Sequence, residues 1–289
     1  FERTRTPLGA SVRNFGQALV TGQPPGVMLD LARASREIWA HWAQVAGFDL
    51  KRNGSYLFAR TEAEEHLLDA FCQGRAREFG YRAELLRGHD LNALYDGQFE
   101  HHRAALHGLD DQQVYSREAI PALIDYLRRD LGVEFHFSTL VRDVEPGLVH
   151  TTAGRFKGAQ VIVCSGHDYQ TLLAEPLARL NPHICRLQML RVRPRVDLKL
   201  HHALLTGLSC VHYGAFADLP QAAAVQAEIV QPVWHPMFAQ IGGGGADDEL
   251  QGKQAACDQP VLRREPDSEA HIDSLLHPVA DAVIELHIR

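Results

Sequence analysis

The sequence predicts an α/β fold in which a parallel layer is combined with a second, mixed or antiparallel sheet. Residues 30–46 carry apolar side chains at helical spacing, and residues 55–59 have a strand pattern directly after the turn dipeptide Asn53-Gly54. Residues 161–164 are all apolar and stop at Ser165-Gly166, which is typical of a strand buried on both faces of a parallel sheet. Because such sheets bind ligands at the carboxyl ends of their strands, this turn is a candidate site.

The composition is that of an ordinary globular protein, since 45% of the 289 residues are hydrophobic and 22% are charged. The net charge of −7 argues against a general nucleic-acid binder, which usually has a basic surface. No apolar run approaches the ~18 residues of a membrane-spanning helix, and no signal peptide is expected. The five cysteines are odd in number and include no CxxC pair, so they predict free thiols and a cytoplasmic protein.

Three segments are predicted to be helices from their apolar periodicity and their end signals. Residues 30–46 form the first, which ends at Gly47. Its apolar face comprises Leu31, Ala34, Ile38, Trp42 and Val45. Thr61 and Glu64 have the spacing of a capping box and start a second helix, through about Gly80. Residues 117–131 form the third, and weaker helical patterns cover residues 222–230 and 272–286.

Further strands are predicted from alternating or continuous apolar residues. The alternation in residues 133–139 predicts a strand with one covered face, and residues 141–144 and 149–152 predict a hairpin around Pro146-Gly147. Residues 186–196 and 208–216 are strand candidates for a second, more antiparallel region. The four glycines at 242–245 predict a flexible stretch.

Three short motifs could carry chemistry, and each has a plainer alternative. Glu2 could accept hydrogen bonds from a ribose diol, as an acidic residue does at the end of a strand in dinucleotide-binding folds. A single glutamate, however, does not by itself indicate a nucleotide site. The loop GASVRNFGQ could bring backbone amides, Ser11 and Arg13 to a phosphate, or it could be a surface loop. The segment VIVCSGHD could end at a ligand site, or it could be a simple strand and turn.

Taken together and in order, these segments resemble one protein family. The segments that carry the resemblance are FERT, GASVRNFGQ, TGQPPG, KRNGSYLFART, YSREAIPALIDYLRRDLGVEFHFSTLVRDVE, VIVCSGHDYQTL, CRLQMLRVRP and HYGAF. Over about positions 1–219 the chain resembles the FAD-dependent oxidoreductases of the D-amino-acid-oxidase group, which include sarcosine and glycine oxidases. GASVRNFGQ and LQMLR are most similar to the subgroup associated with phosphonate metabolism, whose proposed substrates are aminophosphonates.

The resemblance implies FAD as the cofactor and assigns roles to particular residues. Glu2 and Arg3 would meet the adenosine ribose, and Val141 would place its backbone against the adenine. Ser11, Arg13 and Asn14 would lie along the pyrophosphate and the flavin. The turn of Cys164, Ser165 and Gly166 would pass beside the adenosine and the pyrophosphate.

The implied reaction is the oxidation of an amine, of amino-acid or aminophosphonate type, by hydride transfer to FAD. Arg191, His212 and Tyr213 are the expected contacts of a small anionic amine substrate, because a phosphonate or carboxylate needs a cation and hydroxyl donors. The FAD-binding, Rossmann-like layer would comprise residues 1–50 and 110–182. The substrate domain would comprise residues 51–109 and 183–240, with residues 241–289 as an unassigned tail.

The sequence departs from the family at both ends. The glycine fingerprint that should precede the first residues is absent, and the family's C-terminal glycine-rich segment is not recognisable. The FAD-binding layer is therefore expected to be truncated. The alternative function is that of a non-catalytic fragment of such a flavoenzyme.

Other classes of active site are less well supported. The chain has 17 histidines, but His101-His102 and His201-His202 are adjacent pairs whose side chains do not converge, so no metal site is expected. Cys164 could be a nucleophile with His167 nearby, although a small residue beside a cofactor explains it better. No GxSxG motif of a serine hydrolase occurs.

Overall fold

The computed structural model of the chain describes residues 1–166, 168, 170–181 and 200–230. The helices are α1 (Val27–Ala46), α2 (Glu62–Gln73), α3 (Arg75–Phe79), α4 (Gly88–Asn92), α5 (Ser116–Leu131), α6 (Ala174–Ala178), α7 (Ser209–His212) and α8 (Ala222–Val230). The strands are β1 (Gln17–Ala18), β2 (Leu50–Lys51), β3 (Ser55–Ala59), β4 (Ala83–Leu86), β5 (Ala104–Gly108), β6 (Gln112–Val114), β7 (Val141–Glu145), β8 (Leu148–Thr151), β9 (Gly154–Lys157) and β10 (Ala203–Leu205).

These strands form three sheets. The largest has the order β10-β3-β5-β4 and is mixed, because β10 runs parallel to β3 while the other pairs are antiparallel. A small antiparallel sheet, β1-β6-β2, joins the N-terminal region to the segment before α5. The third is the antiparallel meander β7-β8-β9. The described residues thus have the mixed α/β fold that the sequence predicts.

The main core lies on one face of the four-stranded sheet, under α2, α7 and α8. Successive side chains of β3 alternate between the two faces, as in any strand. Leu57 and Ala59 enter the main core, whereas Tyr56 and Phe58 enter a smaller cluster on the opposite face, with Leu91. Both faces of β3 are therefore covered, and all five of its residues are buried.

A buried carboxylate, Asp111, ties the sheet to the N-terminal region. It is 2% exposed, and its Oδ1 accepts hydrogen bonds from the backbone N–H groups of Val20 (2.6 Å) and Thr21 (2.9 Å). Its Oδ2 accepts a hydrogen bond from the Ser55 hydroxyl (2.6 Å). Burial raises the pKa of Asp111, although these hydrogen bonds act in the opposite direction. One side chain thus holds together three segments that are far apart in sequence.

Several sequence predictions are confirmed. β3 and the β7–β8 hairpin form where expected, and helices occupy residues 27–46, 116–131 and 222–230. At the start of α2, Thr61 accepts a hydrogen bond from the Glu64 N–H (3.2 Å), and the Glu64 side chain accepts one from the Thr61 N–H (3.2 Å), which is the predicted capping box. The helix expected to run to Gly80 is interrupted at Gly74, whose non-helical backbone separates α2 from α3.

Three predicted strands are wrong. Residues 133–139 and 161–164 form no strand, and residues 208–216 form α7 and turns instead. Residues 161–164 were expected to be buried on both faces, yet Ile162 is 75% exposed. A doubly buried strand needs strands on both edges and layers on both faces, and the described residues supply neither there. The segments 186–196, 242–245 and 272–286 lie outside the described residues.

The predicted apolar face of α1 is only partly covered. Leu31, Ile38 and Trp42 are 55%, 45% and 39% exposed, while Leu29 is buried against the main core. α1 contacts α5, β1 and β2. None of the described helices is both long and apolar enough to cross a membrane.

Replacing Gly16 by alanine is expected to lower the free energy of unfolding by more than about 2 kcal/mol. Gly16 has a φ of +68°, and a Cβ there would lie 1.8 Å from the carbonyl oxygen of Val114, which belongs to β6. Gly132 is the matched control, because its φ is +67° and a Cβ would meet nothing within 4 Å. Gly132→Ala should cost only about 1 kcal/mol in urea unfolding. Equal losses in the two variants would contradict the proposed close contact at Gly16.

Candidate functional site

A cleft of about 470 Å³ lies where the N-terminal segment meets the meander and the segment after it. Its walls come from residues 1–4, 8–11, 139–141, 144, 149, 161–166, 168, 171 and 172. Seven of the nine residues predicted to bind the cofactor line it, namely Glu2, Arg3, Ser11, Val141, Cys164, Ser165 and Gly166. The fold thus brings together motifs that lie up to about 160 residues apart in the sequence.

One wall of the cleft is fixed by backbone hydrogen bonds between residues 2–4 and 136–139. The Glu2 N–H donates to the His136 carbonyl (2.9 Å), and the Thr139 N–H donates to the Glu2 carbonyl (2.9 Å). The Ser138 N–H donates to the Thr4 carbonyl (3.0 Å). Residues 133–139, although not a strand, therefore hold Glu2 at the edge of the cleft.

The Glu2 carboxylate is already oriented by its neighbour. Its Oε1 accepts hydrogen bonds from the Thr4 N–H (2.8 Å) and from the Thr4 hydroxyl (2.7 Å). Partial burial would raise the pKa of Glu2, but the bonds from Thr4 and the charge of Arg3 outweigh it, and the pKa is lowered. Glu2 is therefore an ionised hydrogen-bond acceptor at neutral pH.

An ion pair crosses the cleft and includes a residue, Asp168, to which sequence analysis assigned no role. The Arg3 guanidinium donates to Asp168 Oδ2 at 2.6 Å. Asp168 Oδ1 accepts hydrogen bonds from the N–H groups of Gln170 (3.2 Å) and Thr171 (3.3 Å). Burial opposes ionisation of Asp168, but these bonds and Arg3 lower its pKa. Asp168 is the last residue of the motif VIVCSGHD, so its place in that motif, beside the turn, was the available signal.

The glycine-containing loop divides its side chains between two locations. Gly9–Ser11 forms a short 3-10 turn that places Ser11 on the cleft wall. The Asn14 side chain instead stabilises the loop, since its Nδ2 donates to the Ala10 carbonyl (2.8 Å) and its Oδ1 accepts from the Gly16 N–H (2.8 Å). Arg13 lines a different cavity, on the α5 side of the loop.

The opposite wall is the turn after residues 161–164. Cys164 is an exposed free thiol on this wall, and Gly166 has a φ of +62°. The Asp168 N–H donates to the Ser165 carbonyl (3.1 Å), which closes the turn. Ser165 and Asp168 therefore lie on the same wall of the cleft, and Arg3 reaches Asp168 from the other wall.

Of the three residues predicted to contact substrate, the two that the structure describes, His212 and Tyr213, do not line this cleft. Arg191 falls outside the described residues. His212 and Tyr213 stand at the end of α7, where His212 is exposed and Tyr213 is half-buried. The Tyr213 ring packs against Gly22 so closely that a Cβ there would come within 3.0 Å of it. The HYGAF segment thus packs on TGQPPG, a contact that the sequence did not predict.

A histidine and tyrosine cluster occupies the other face of the four-stranded sheet. Tyr56 stacks on His107 with ring centroids 4.5 Å apart, and His202 meets Tyr56 edge-on at 4.8 Å. The Tyr95 hydroxyl accepts a hydrogen bond from the backbone N–H of His202 (3.2 Å), and it lies 2.7 Å from Nδ1 of the His202 ring. Burial and the neighbouring His107 lower the pKa of His202 to about 4.

Stability is expected to fall as the pH is lowered from about 7 to about 4, in part because of His202. Its pKa is lowered from 6.5 to about 4 in the folded state, so the unfolded chain takes up this proton first. The stabilisation is complete above about pH 6.5 and is lost progressively below it. Urea unfolding at several pH values should give a shallower pH dependence for His202→Gln than for the parent chain. His101→Gln, at a side chain that is 91% exposed, should leave the dependence unchanged.

Comparison with known proteins shows the family. None of the curated proteins matches the chain. A family model described as DAO, FAD dependent oxidoreductase, matches residues 1–216. The chain belongs to this family. FAD is the cofactor of these oxidoreductases, and the sequence prediction of the family and its cofactor is confirmed at this level.

Solved structures of FAD-dependent oxidoreductases share the fold at low sequence identity. Glycine oxidase from Geobacillus kaustophilus is 22% identical over 71% of this chain and 58% of its own, with a TM-score of 0.55. L-proline dehydrogenase from P. horikoshii is 14% identical over 71% and 56%, with a TM-score of 0.56. L-alpha-glycerophosphate oxidase from Mycoplasma pneumoniae with FAD bound is 17% identical over 74% and 59%, with a TM-score of 0.56.

The chain therefore spans somewhat more than half the length of each of these three flavoenzymes. The shared fold supports the Rossmann-like FAD-binding layer that the sequence predicts.

The cleft of this member of the FAD-dependent oxidoreductase family has groups that suit the adenosine half of FAD. A carboxylate with two acceptor oxygens suits a ribose diol, and Glu2 supplies it in ionised form. Val141, Val144 and Val149 provide an apolar surface of the kind on which a base can pack. Ser11 and Ser165 add hydroxyl donors. The donor set thus fits an adenosine diphosphate group.

Proposed function

We propose that the cleft binds the adenosine half of FAD and that the protein oxidises an amine. The observation that carries the first part is the convergence of Glu2, Ser11, Val141 and Ser165, from four separate segments, on one cleft in a chain of this family. When bound, FAD accepts a hydride from the C–H group beside the amine nitrogen. The chain's own task is to hold the cofactor and to position the substrate.

The cleft residues have distinct proposed roles in binding. Glu2 accepts hydrogen bonds from the ribose hydroxyls, and Thr4 holds its carboxylate in place through Oε1. The Arg3–Asp168 ion pair ties the ribose side to the Ser165 turn, so the cleft keeps its width. Arg13 and Asn14 do not line the cleft, and they are proposed to lie further along, beside the pyrophosphate and the flavin. Asn14 also stabilises the loop through its hydrogen bonds to Ala10 and Gly16.

The amine class rests on the resemblance and on the names of the relatives. Glycine oxidase and L-proline dehydrogenase are named for amino acids, and both share the fold. The resemblance of GASVRNFGQ and LQMLR to the phosphonate-associated subgroup favours an aminophosphonate. Arg191, His212 and Tyr213 are the proposed contacts of the substrate anion. The three cysteines that the structure describes are free thiols, in keeping with a cytoplasmic protein.

The proposed oxidation of an amine is tested by flavin reduction in a solution free of oxygen. The chain is loaded with FAD and mixed with glycine, sarcosine, D-alanine or aminomethylphosphonate, and the visible absorption of the flavin is followed. Bleaching without oxygen, together with release in air of ammonia (or, from sarcosine, of methylamine or formaldehyde), would support amine oxidation, and preference for the phosphonate would support the assignment to aminophosphonates. A flavin that stays oxidised with every amine would contradict the activity of this chain and favour the non-catalytic alternative, while leaving cofactor binding intact.

The substrate anchor is tested separately. Arg191→Ala is expected to raise KM for the anionic amine by about tenfold or more, because a charge-assisted pair to the substrate is lost. An unchanged KM would show that Arg191 does not anchor the substrate.

A further inference from the structure

A second cavity, of about 480 Å³, lies between the N-terminal loop and α5. It is lined from the loop side by residues 5–8, 12 and 13, from α5 by residues 117, 121, 124 and 125, and by Phe137. Leu8 is the residue that this cavity shares with the cleft, so the two lie on opposite sides of one loop. Of its lining residues, the proposed function assigns a role only to Arg13, which is placed along the pyrophosphate and flavin, and no ligand is assigned to the others.

Three arginines line this cavity, and their charge is not neutralised locally. Within the described part of the chain, the guanidinium groups of Arg5, Arg13 and Arg117 form no hydrogen bond or ion pair. Many other arginines of the fold are paired, such as Arg87 with Glu65 at 2.8 Å. The one acidic residue of the lining, Asp125, has its own cation in Arg128, at 3.9 Å.

The remaining lining is largely apolar. Leu8, Val12, Ile124 and Phe137 contribute aliphatic and aromatic surface, and Leu8 is 54% exposed. Guanidinium groups bind planar or tetrahedral oxyanions through paired N–H donors, and an apolar floor favours a ligand with a hydrocarbon body. A purely inorganic ion would use the arginines but leave this surface wet.

We infer that this cavity binds a small organic anion, with a phosphonate, phosphate or carboxylate head and an apolar body. The head is held by Arg117 and Arg5, and the body packs on Leu8 and Phe137. The site is separate from the adenosine cleft, because Glu2 and Ser165 line only the latter. Its ligand stabilises the loop that divides the two cavities.

The test is a calorimetric titration of the purified chain with phenylphosphonate. Binding is expected to weaken about tenfold in Arg117→Ala, since one charged hydrogen-bonding partner is removed, and to weaken with added salt. Arg155→Ala is the matched control, because Arg155 is an exposed arginine on β9, distant in sequence from the cavity lining. Circular dichroism establishes that both variants keep the fold.

Four results would overturn the inference. They are no binding of phenylphosphonate at millimolar concentration, equally tight binding of inorganic phosphate, an equal loss in Arg155→Ala, and displacement of phenylphosphonate by AMP. The last result would place the arginines in the nucleotide site and not in a separate one. Benzoate binding with the same dependence on Arg117 would support the inference and identify the charge as the recognised feature, whereas inorganic phosphate binding as tightly as phenylphosphonate would contradict the apolar contribution.

Discussion

Asp111→Ala is expected to lower the free energy of unfolding by about 3–5 kcal/mol. The carboxylate is 2% exposed and accepts hydrogen bonds from Val20, Thr21 and Ser55. Alanine would leave these donors buried and unpaired, and each unsatisfied group costs about 1–3 kcal/mol. The loss should appear in urea unfolding followed by tryptophan fluorescence.

Two further variants show whether the loss of stability in Asp111→Ala comes from the hydrogen bonds of Asp111 or from its charge. Asp111→Asn keeps an acceptor for the two backbone N–H groups and offers an N–H to the Ser55 hydroxyl, so it should cost only about 1 kcal/mol. Asp49→Ala, at an exposed carboxylate near β2, should change stability by less than about 0.5 kcal/mol. If Asp111→Ala cost no more than Asp49→Ala, Asp111 would not join the sheet to the N-terminal region.

Glu2→Gln is expected to raise the dissociation constant for FAD by about 10- to 100-fold. The carboxylate has two acceptor oxygens, and Thr4 already uses Oε1. Glutamine replaces one oxygen by an amide donor and removes the charge, so the acceptor for the ribose hydroxyls is lost. The measurement is the quenching of flavin fluorescence on titration with protein.

The control and the pH dependence sharpen this prediction. Glu134→Gln changes a side chain that is 86% exposed on the segment that supports Glu2, and it should leave the affinity unchanged. Because the pKa of Glu2 is lowered, FAD affinity should persist below the usual range of a glutamate and fall only as the pH drops through the lowered pKa. Equal affinities of the parent and Glu2→Gln would remove Glu2 from the proposed site.

Sequence reasoning predicts those elements whose signals are local. The capping box of α2, the glycine after α1 and the turn of the β7–β8 hairpin each depend on residues a few positions apart. β3 is predicted because an apolar run follows a turn dipeptide. Residues 161–164 carry an equally strong local signal, but a strand also needs partners, and the described residues provide none beside Ile162.

The site shows the same division. The motifs that line the cleft were recognisable because each is a short segment with a characteristic pattern. The Arg3–Asp168 pair joins residues 165 positions apart, and Asp111 binds the backbone of Val20 across 91 positions. No short-range pattern marks such partners, so only the folded chain identifies Asp168 and Asp111. The Tyr213 contact with Gly22 is of the same kind.

Equilibrium binding of FAD to the 289-residue chain tests the central claim most directly. The chain is dialysed against FAD, and its visible spectrum and bound flavin are measured with and without AMP. Occupancy of the cleft by the adenosine half predicts one FAD per chain, displacement by AMP, and loss of binding in Glu2→Gln. A protein that stays colourless in excess FAD, or that binds FAD with no effect of AMP, would contradict the assignment of the cleft.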